Sequence, residues 1–502
     1  MSDDAARIPV IVGVGQVNDR PADPRQGLDP VGLMEAALRE ADRDAGGGWL
    51  PRLESLAVVD NLSFREIGDT QGPLAERIGA KPKLLYKSSY PGGDTPILML
   101  NEAARRIAQG EIQVAAVAGG EALRTAAQLA ALKAGDDPSA HNPLRAATGR
   151  AGPPSFRQRY GLTAPVDVYP LYENAGRAAY GQTLAEAQAE SGEIWSRFSE
   201  VAAENPGAWI RKPTTAEAIV TPSADNRPIA FPYNKLMVAN SSVNQGAGFI
   251  VASLAAARAA GIPDERLVYV GAGAAAHEPG DYLRRDRYDR SVSMAVSLQK
   301  AMELNGVSAN DLDFVELYSC FPCVPKMARR VIGWPVDRPA TVFGGLTFGG
   351  GPIGNYMSHA VVSMVLKLRE GGRKGLLFAN GGYATNNHTI VVGREPFPLE
   401  AVQADFDFQA EADAAREPVP ELDESYTGPG TVETYTVLYE RDGRPKFGVI
   451  VGRAPGGQRF LAKIPPSEET TIAFLTSGEV EPVGRKGQAV SGQDGDVYWR
   501  FD

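Results

Sequence analysis

Residues Tyr86–Ala122 read YKSSYPGGDTPILMLNEAARRIAQGEIQVAAVAGGEA. This stretch predicts a strand end, a Gly-Gly turn, a helix and a buried strand that ends in a second Gly-Gly. Apolar residues recur at helical spacing after Pro96. Asp94 or Thr95 can cap the exposed amides at the helix start, and Pro96 suits its first turn. A helix N-terminus beside a glycine-rich loop offers unpaired N–H groups to an anion or a carbonyl oxygen. Taken alone, the stretch leaves two interpretations open: an ordinary strand-to-helix crossover and a ligand site.

A second copy of the same order occupies Thr347–Thr385, TFGGGPIGNYMSHAVVSMVLKLREGGRKGLLFANGGYAT. It runs from a glycine-rich turn through a Pro, an apolar helix and a short Gly turn to an apolar strand that ends in Gly-Gly. Two long segments with one order in a single chain indicate an internal duplication. The arrangement resembles the thiolase superfamily, whose fold consists of two similar halves that meet at the active site.

Composition and charge are typical of a soluble globular protein. Of the 502 residues, 43% are apolar and 22% are charged, and the length suffices for more than one domain. A net charge of −10 argues against binding nucleic acid through the whole surface, but it leaves room for a local basic pocket. The two Cys cannot form a disulfide framework and suit a reducing compartment. Because the N-terminus lacks a leader pattern and no long apolar span occurs, we expect a cytoplasmic protein without membrane insertion.

Strands and helices alternate on both sides of these segments, which predicts an α/β layered fold. The candidates are the strands Ile8–Val14, Leu56–Val59, Leu84–Tyr86 and Arg266–Ala275 and the helices Pro30–Ala41 and Ser291–Leu304. Gly13-Val14-Gly15 is not followed by the third glycine of a dinucleotide motif, so a nicotinamide cofactor is not expected.

Further landmarks narrow the resemblance. Asn240–Ile262 is similar to the stretch that closes the first half of a thiolase, and PGGDTP, RFSEVAAENPGAW and NGGYATNNH are similar to the thiolase-like proteins of type 1. That group is related to the sterol-carrier-protein thiolases, is often labelled acetyl-CoA acetyltransferase and bears an additional C-terminal domain. The resemblance implies a duplicated thiolase fold of αβαβα layers, with halves at 1–265 and 266–399 and a loop domain inserted at about 123–235.

The resemblance implies coenzyme A, free or as part of an acyl-CoA, as the ligand. In a thiolase the loop domain supplies much of the CoA-binding surface, and Arg and Lys suit phosphate oxygens. The alternative for such exposed charges is a solvated surface. The residues expected to bind CoA are Arg211 and Lys212 of the loop domain, Gly93, Asp94 and Thr95 of the first glycine-rich turn, and Gly350 and Gly351 of the second.

The resemblance also implies that ordinary thiolase chemistry is lost. Positions that carry functional side chains in thiolases hold other residues here: Gly93 for the nucleophilic Cys, Gly351 for the His of the second turn, Tyr318 for the oxyanion-hole His and Ala379 for the second Cys. Covalent acyl-enzyme chemistry requires an activated nucleophile with a partner base. An acetyl-CoA acetyltransferase reaction of the usual kind is therefore not expected from this degenerate active site.

The candidate catalytic residues are Tyr318, Tyr383, His388 and Cys320. Tyr318 lies in Glu-Leu-Tyr-Ser-Cys-Phe, where sterol-carrier-type thiolases have Glu-Leu-His-Asp-Cys-Phe, and its hydroxyl could donate a hydrogen bond or, with a lowered pKa, abstract a proton. Tyr383 and His388 belong to a GGYxTxxH arrangement that could line the same cavity. Cys320 matches a position near the thiolase active site. For each of them the alternative is a packed structural residue.

Cys320-Phe321-Pro322-Cys323 raises a redox or a zinc interpretation. A structural zinc ion takes four ligands, and no second CxxC or HxxxH pair completes such a set. We therefore expect no metal, and the pattern favours two half-buried thiols.

Two further segments follow the duplicated halves. Residues 400–428 include nine acids and one Arg between Glu400 and Glu424, which predicts a linker or surface arm. Residues 429–502 alternate apolar and polar residues in TVETYTVLYE, PKFGVIVGRA, RFLAKIP and TIAFLTSGE, which predicts a five-stranded OB-like barrel. The pattern resembles the OB-fold companions of thiolase-like steroid side-chain aldolases, without their zinc-binding Cys. The acidic neighbourhood favours a docking or acyl-CoA-capping role over nucleic-acid binding.

Two functional classes stay open. The first is an enzyme that performs non-covalent carbon–carbon chemistry on acyl-CoA, such as retro-aldol cleavage, with Tyr318, Tyr383 or His388 as base and the helix start as hydrogen-bond donor. The second is a catalytically silent binder of CoA or acyl-CoA that recruits a partner through its C-terminal domain. A monomer and a homodimer are both open, since thiolases usually dimerise through the sheet but the C-terminal domain could cover that edge.

Overall fold

The structure is a computed structural model that describes residues 4–138, 141 and 154–502, so part of the expected loop domain lies outside the described residues. The strands are β1 (Pro9–Asn18), β2 (Ser55–Val58), β3 (Leu84–Lys87), β4 (Val114–Ala122), β5 (Pro228–Ala230), β6 (Tyr233–Asn234), β7 (Asn244–Ser253), β8 (Val268–His277), β9 (Phe314–Leu317), β10 (Lys374–Gly381), β11 (Asn386–Gly393), β12 (Gly428–Tyr439), β13 (Pro445–Arg453), β14 (Arg459–Ile464), β15 (Lys486–Ser491) and β16 (Val497–Phe501).

The α-helices are α1 (Pro30–Asp44), α2 (Gln71–Arg77), α3 (Thr95–Gln109), α4 (Leu123–Ala134), α5 (Phe156–Arg159), α6 (Pro165–Ala179), α7 (Leu184–Glu204), α8 (Ala216–Val220), α9 (Leu254–Ala259), α10 (Val292–Leu304), α11 (Cys323–Ile332), α12 (Tyr356–Glu370), α13 (Leu399–Gln403), α14 (Gln409–Ala415) and α15 (Glu469–Ser477).

Nine strands form one sheet in the order β3-β2-β4-β7-β1-β8-β11-β10-β9. The halves join where β1 pairs with β8, at Val10 with Tyr269 and at Ile11 with Val268. The central helices α3 and α12 pack against each other and on strands of both halves, whereas α1 lies on β1, β4 and β7 and α10 lies on β8 and β11. These contacts build the duplicated αβαβα layers, as predicted.

Side chains that alternate along each strand pack against different layers of helices on the two faces of the sheet. Val10 of β1 packs in one buried cluster with Met34 of α1, whereas the next residue, Ile11, packs in another cluster with Ile97 and Leu100 of α3. Successive side chains of a strand point to opposite faces, so a run of apolar residues is buried on both sides. The same reason explains why β4 and β7 are buried along their whole length.

The C-terminal segment forms a closed five-stranded barrel, as predicted. Its sheet runs β13-β14-β16-β15-β12, and β12 also pairs with β13 and so closes the ring. The prediction of a strand over TIAFLTSGE is wrong, because this segment is helix α15. Ile472 and Leu475 are both buried, and their spacing of three fits one face of a helix.

Residues 400–428 were predicted as a linker or surface arm, but residues 399–427, which we call the strap, are packed along the second half. Helix α13 lies on α3 and β8, and α14 lies on β8 and α10. The backbone of Ala275 in β8 exchanges hydrogen bonds with Phe406 and Phe408 at 2.7 and 2.9 Å. Arg416 pairs with the buried Glu278 at 3.0 Å. The acidic residues therefore lie mostly on the exposed face of the strap, and the composition alone does not predict the contacts of its other face.

The barrel docks on the loop domain rather than standing apart from it. Strand β12 pairs with β5 at Leu438 and Ala230, and the Phe231 amide donates to the Val437 carbonyl at 2.8 Å. Buried Asn174 of α6 donates to the Tyr435 carbonyl at 2.9 Å. Among the helices of the described residues, none is long and apolar enough to cross a membrane.

Candidate active site

The two glycine-rich turns of the duplicated halves meet in the middle of the molecule. A Cβ atom on Gly354 in the second turn would lie under 3.0 Å from the backbone of Pro91 in the first turn. Asn355 beside it donates its amide to the carbonyl of Gly119 in β4 at 2.7 Å. Glycine is thus required where the turns touch, and the contact fixes the start of α3 against the second half.

Position 93 has no room for a side chain. A Cβ on Gly93 would approach the carbonyl oxygen of Asn380 and the hydroxyl of Tyr318 to under 3.0 Å, a separation that real Cβ atoms essentially never show. The Asn380 carbonyl belongs to the backbone of β10 and cannot rotate away. The amide of Gly93 finds no hydrogen-bond acceptor among the described residues. This N–H group and the Tyr318 hydroxyl therefore lie together at the place expected for a nucleophile.

Tyr318 directly follows β9 and is held there by its own backbone. Its amide donates to the Phe378 carbonyl of β10 at 3.1 Å, and its ring packs edge-on against Tyr356 at 5.6 Å between centroids. Burial, with smaller contributions from Cys320 and Asp94, raises the pKa of Tyr318 well above its ordinary value. A raised pKa favours the protonated hydroxyl and disfavours the predicted role of Tyr318 as a proton-abstracting base. The hydroxyl is suited to donating a hydrogen bond.

Asp94 occupies the N-cap position of α3 but does not cap it. Its backbone is helical, with φ −83° and ψ −18°, and its side chain makes no capping hydrogen bond. Capping requires an extended residue whose side chain folds back over the first turn, so of the two predicted caps, Asp94 and Thr95, Asp94 does not cap the helix, and Thr95 is already its first residue. The amide of Thr95 instead donates to the Gly92 carbonyl at 3.1 Å, which leaves it unavailable to a ligand.

The Asp94 carboxyl is buried without a partner for one of its oxygens. Its side chain is 8% exposed, and Oδ1 has no hydrogen bond within the described part of the chain. Cβ atoms on Gly92 and Gly381 would each lie under 3.0 Å from Oδ1, so two glycines make room for this oxygen. Burial raises the pKa of Asp94 to about 6.

The second turn offers fewer donors than the sequence predicts. Gly351 donates its amide to the Asn240 carbonyl at 2.8 Å, so this group is already satisfied. Gly350 has a φ of +106°, which favours glycine, and a Cβ there would collide with the side chain of Gln245. Backbone geometry thus explains the glycine at 350, whereas at 351 a Cβ would lie 3.2 Å from the Asn240 carbonyl oxygen, close but not excluded.

His388 lies in β11 and Tyr383 lies in the turn between β10 and β11, and the two side chains have different hydrogen-bond partners. His388 is 2% exposed, accepts a hydrogen bond at Nε2 from the Asn101 amide at 3.0 Å and packs on Phe406 of the strap. Burial lowers its pKa to about 3, so the ring is neutral. Tyr383 lies in the turn after β10, where its hydroxyl donates to the Thr163 carbonyl at 3.1 Å. Neither side chain forms a hydrogen bond to the Tyr318 hydroxyl within the described part of the chain.

Cys320 and Cys323 are two free, fully buried thiols, where half-buried thiols were predicted. Burial raises the pKa of Cys320 to about 12 and that of Cys323 well above its ordinary value. Both are neutral, and a neutral thiol is a poor nucleophile. No group of three or more His, Cys, Asp or Glu side chains within the described ranges is arranged to hold a metal ion.

Arg211 and Lys212 are exposed just beyond a segment that contacts the second glycine-rich turn. The amides of Trp209 and Ile210 donate to the carbonyls of Gly349 and Phe348 at 2.9 and 2.7 Å. The Arg211 guanidinium donates to the Ala203 carbonyl at the end of α7 through two nitrogens, at 3.3 and 3.2 Å. Arg211 and Lys212 are thus exposed residues that directly follow a segment bonded to this turn.

The sequence predicted Asp94 or Thr95 as the cap and Asp94 as a CoA-binding residue, but it did not reveal that one Asp94 carboxyl oxygen lacks a partner. An Asp between Gly-Gly and Thr-Pro is a common helix-start pattern, and no sequence signal reveals that its backbone is already helical. The roles of Asn380 and Gly381 were missed for a related reason: they come from the other half of the chain. Only the register of β10 against the start of α3 brings them to Gly93 and Asp94.

Comparisons with known proteins agree with this architecture. The family model of the thiolase-like protein type 1 additional C-terminal domain matches residues 407–495. A monomeric SCP2-thiolase-like protein type 1 from Mycobacterium smegmatis is 30% identical over 99% of this chain and 99% of its own, with a TM-score of 0.81. Among curated protein sequences, none matches this chain.

More distant solved structures share the fold alone. The Ltp2-ChsH2(DUF35) aldolase is 18% identical over 78% of this chain and 98% of its own, with a TM-score of 0.56. Human mitochondrial 3-ketoacyl-CoA thiolase in complex with CoA is 15% identical over 78% of this chain and 98% of its own, with a TM-score of 0.59.

Proposed function

This chain belongs to the SCP2-thiolase-like proteins of type 1, and we propose that it binds acyl-CoA thioesters and acts on them without a covalent intermediate. The proposed reaction is carbon–carbon chemistry of the retro-aldol type. In this reaction a β-hydroxyacyl-CoA separates into a carbonyl compound and a shorter acyl-CoA.

One observation supports the proposal most directly. The position expected for the nucleophile holds Gly93, and two hydrogen-bond donors, the Gly93 N–H and the Tyr318 hydroxyl, lie there instead. At Gly93 a thiol does not fit, because the Asn380 carbonyl and the Tyr318 hydroxyl fill the space beside the Cα atom. Cys320, the other candidate nucleophile, is neutral and buried. Covalent acyl transfer requires an activated nucleophile, which this site does not offer. Polarisation of a thioester requires only hydrogen-bond donors, which it does offer.

The Tyr318 hydroxyl and the Gly93 N–H form the proposed oxyanion site. When the carbon–carbon bond of a β-hydroxyacyl thioester breaks, negative charge moves to the thioester oxygen as an enolate forms. Preorganised donors that bind this oxygen stabilise the transition state, and removing one such donor typically costs about 100- to 1000-fold in turnover. The high pKa of Tyr318 keeps its hydroxyl a donor throughout.

The loop domain is the proposed CoA-binding surface. The human thiolase with a similar fold holds CoA, which supports the same ligand for this chain. Arg211 and Lys212 are exposed beyond the segment that bonds to Gly349 and Phe348, where they can meet phosphate oxygens outside the buried site. In this proposal CoA is part of the substrate and not a bound cofactor.

Burial of the site favours a second candidate function. Gly93, Asp94, Thr95 and Tyr318 are all buried, so a thioester reaches them only if the surrounding turns move. A protein that binds CoA on the loop domain without admitting the acyl group to this site would be a catalytically silent binder. The barrel, which already contacts the loop domain, would then be the surface that recruits a partner.

Calorimetric titration of the protein with CoA, acetyl-CoA and a panel of β-hydroxyacyl-CoA esters tests the proposal. The ligand is recovered afterwards and identified by mass analysis. We expect binding together with conversion of at least one β-hydroxyacyl-CoA into a shorter acyl-CoA. Binding of every ester without chemical change would favour the silent binder, and failure to bind CoA or any ester would contradict both functions.

A further inference from the structure

The proposed reaction needs a base, and none of the three side chains that the sequence suggests for it is suited. The Tyr318 hydroxyl stays protonated, His388 is occupied by Asn101 in the interior, and Tyr383 is bonded to the Thr163 carbonyl. A general base must come within hydrogen-bond reach of the proton it abstracts. The base has to be sought among the groups that line Gly93.

We infer that Asp94 is the acid–base catalytic residue of this site, which accepts the proton that the reaction releases and returns it to the product carbon. The inference rests on the proposed function and adds to it the group that moves the proton. Asp94 adjoins Gly93 in the chain, and its Oδ1 lies over Gly381, the residue after Asn380.

The first observation that supports this role is that the buried carboxyl oxygen Oδ1 of Asp94 has no hydrogen-bond partner in the described structure. A buried polar atom without a hydrogen bond costs free energy, and nearly all such atoms in folded proteins find a partner. Asp94 Oδ1 has none, although the Thr95 and Gly93 amides lie one residue away in the chain. The chain also keeps glycines at 92 and 381, where any Cβ would crowd this oxygen. An acceptor left without a partner in this way fits a proton donor that arrives with the substrate once the surrounding turns move.

The absence of a nearby cation is the second argument. Among the described residues, the charged and titratable groups that act on Asp94 or respond to it are Tyr90 from the first turn and Tyr318 from the end of β9, and both stay neutral. No Arg, Lys or His contributes to the pKa of Asp94, which burial raises to about 6 against the lowering effect of the residue's own backbone amide. A buried carboxylate that serves only structure is normally paired. An unpaired one with a pKa near neutrality can release and accept a proton under cellular conditions.

The proton and electron balance closes without a further reactant. The Asp94 carboxylate removes the proton of the β-hydroxyl, the freed electron pair forms the new carbonyl bond, and the Cα–Cβ bond breaks. Its electron pair forms the enolate of the thioester, whose oxygen is held by Tyr318 and the Gly93 N–H. The protonated Asp94 then gives the proton to Cα, which completes the shorter acyl-CoA and restores the carboxylate.

Exchange of the methyl protons of acetyl-CoA for deuterium tests this role, because it isolates the proton transfer at Cα. The full-length protein is incubated with acetyl-CoA in D2O, exchange is followed by NMR, and acetyl-CoA binding is measured by calorimetry. The variants are Asp94→Asn and, as a matched control, Glu102→Gln. Glu102 lies on the same helix and bonds to the Tyr86 hydroxyl at 2.9 Å, away from Gly93.

We expect exchange in the wild type and in Glu102→Gln, and exchange that is slower by about 100-fold or more in Asp94→Asn with acetyl-CoA affinity retained. Equal exchange in folded Asp94→Asn would overturn the role of Asp94 and leave the proposed function standing. A wild-type protein that binds acetyl-CoA without exchange would overturn the proton transfer assigned to Asp94, and cleavage of a β-hydroxyacyl-CoA by the same protein would leave the proposed function standing. A wild-type protein that neither binds acetyl-CoA nor cleaves a β-hydroxyacyl-CoA would show that the proposed function itself fails, and this inference with it.

The pH dependence of the wild type provides a test that does not depend on a variant. Because the carboxylate form is the base, the exchange rate at saturating acetyl-CoA should rise with pH to a midpoint near 6 and then level. A rate that is flat between pH 5 and 8 would overturn the assignment even if Asp94→Asn did not fold.

Discussion

Among the individual side chains that were candidates for the site, burial without a countercharge sets the proton affinities. It raises the pKa of Tyr318 and of Cys320 and lowers that of His388, so each of these groups is neutral at pH 7. For Asp94 the same effect moves the pKa to about 6, into the range where both forms are populated. Residue types were predictable from the sequence. Their proton affinities were not, because burial depends on contacts between distant segments.

Asp94→Asn is predicted to stabilise the fold at neutral pH. The folded-state pKa of Asp94, about 6, exceeds the ordinary value of 3.8, so the carboxyl favours folding below pH 4 and this contribution is lost as pH rises through 6. The shift corresponds to at most about 3 kcal/mol of unfolding free energy that the variant regains above pH 6. Urea unfolding of both proteins at pH 4 and pH 8 measures the difference.

The stabilisation should vanish at pH 4 and be absent in Glu102→Gln at either pH. A variant that is less stable than the wild type at pH 8 would contradict an unpaired, ionised Asp94. It would indicate a hydrogen bond at Oδ1 that holds the structure together.

At the level of helices and strands, the duplicated pattern made the fold predictable. The helical spacing around both glycine-rich turns correctly indicated α3 and α12, and the apolar runs indicated β4 and β10. Helix α15 was missed because TIAFLTSGE carries β-branched and aromatic residues that favour strands, while its placement between β14 and β15 is a tertiary effect. The contact of Gly93 with Asn380 was likewise not predictable, since it depends on the register of β10.

Gly93→Cys is predicted to destabilise the protein rather than to restore thiolase chemistry. The new Cβ would lie under 3.0 Å from the Asn380 carbonyl and the Tyr318 hydroxyl. Overpacking of this kind costs about 1–3 kcal/mol, and here one of the colliding atoms belongs to the backbone. Thermal unfolding measures the loss, and thiol labelling of the folded protein shows whether the Cys is accessible.

Gly371→Cys is the matched control, because a Cβ on Gly371 meets nothing within 4 Å. Only the substitution at 93 should lower the midpoint. A Gly93→Cys protein as stable as the wild type and able to cleave a 3-ketoacyl-CoA would contradict the closed geometry of position 93.

Across the whole molecule, the C-terminal barrel belongs to the same packed body as the thiolase-like halves. Leu438 and Val451 of the barrel are part of the buried cluster that fills those halves. The acidic strap was interpreted as a linker because composition records exposed faces, and its buried residues Val402 and Ala412 are too few to mark it as packed. The strand content of the barrel was predictable, whereas its docking was not.

Arg459→Ala is predicted to lower the stability of the entire protein. Arg459 is fully buried, pairs with Glu433 at 2.6 Å and donates to the carbonyls of Leu283 and Arg285 at 2.6 Å each. Removing one partner of a buried pair leaves an uncompensated charge and costs about 3–5 kcal/mol. Differential scanning calorimetry should show one transition in the wild type and one shifted transition in the variant.

Arg444→Ala serves as the control, since Arg444 pairs with Asp442 on the surface of the same barrel with its side chain 80% exposed. It should leave the transition unchanged. Two separate transitions, of which Arg459→Ala moves only one, would contradict a barrel that unfolds together with the rest.

The most direct test of the proposed chemistry is the turnover of Tyr318→Phe on a β-hydroxyacyl-CoA that the wild type cleaves, with the intact mass of the protein recorded during the reaction. We predict cleavage by the wild type and by Cys320→Ala without any acylated protein, and turnover lower by about 100-fold or more in Tyr318→Phe, since one oxyanion donor is removed. An acyl adduct on the wild-type protein, or unchanged turnover in Tyr318→Phe, would contradict non-covalent catalysis at this site.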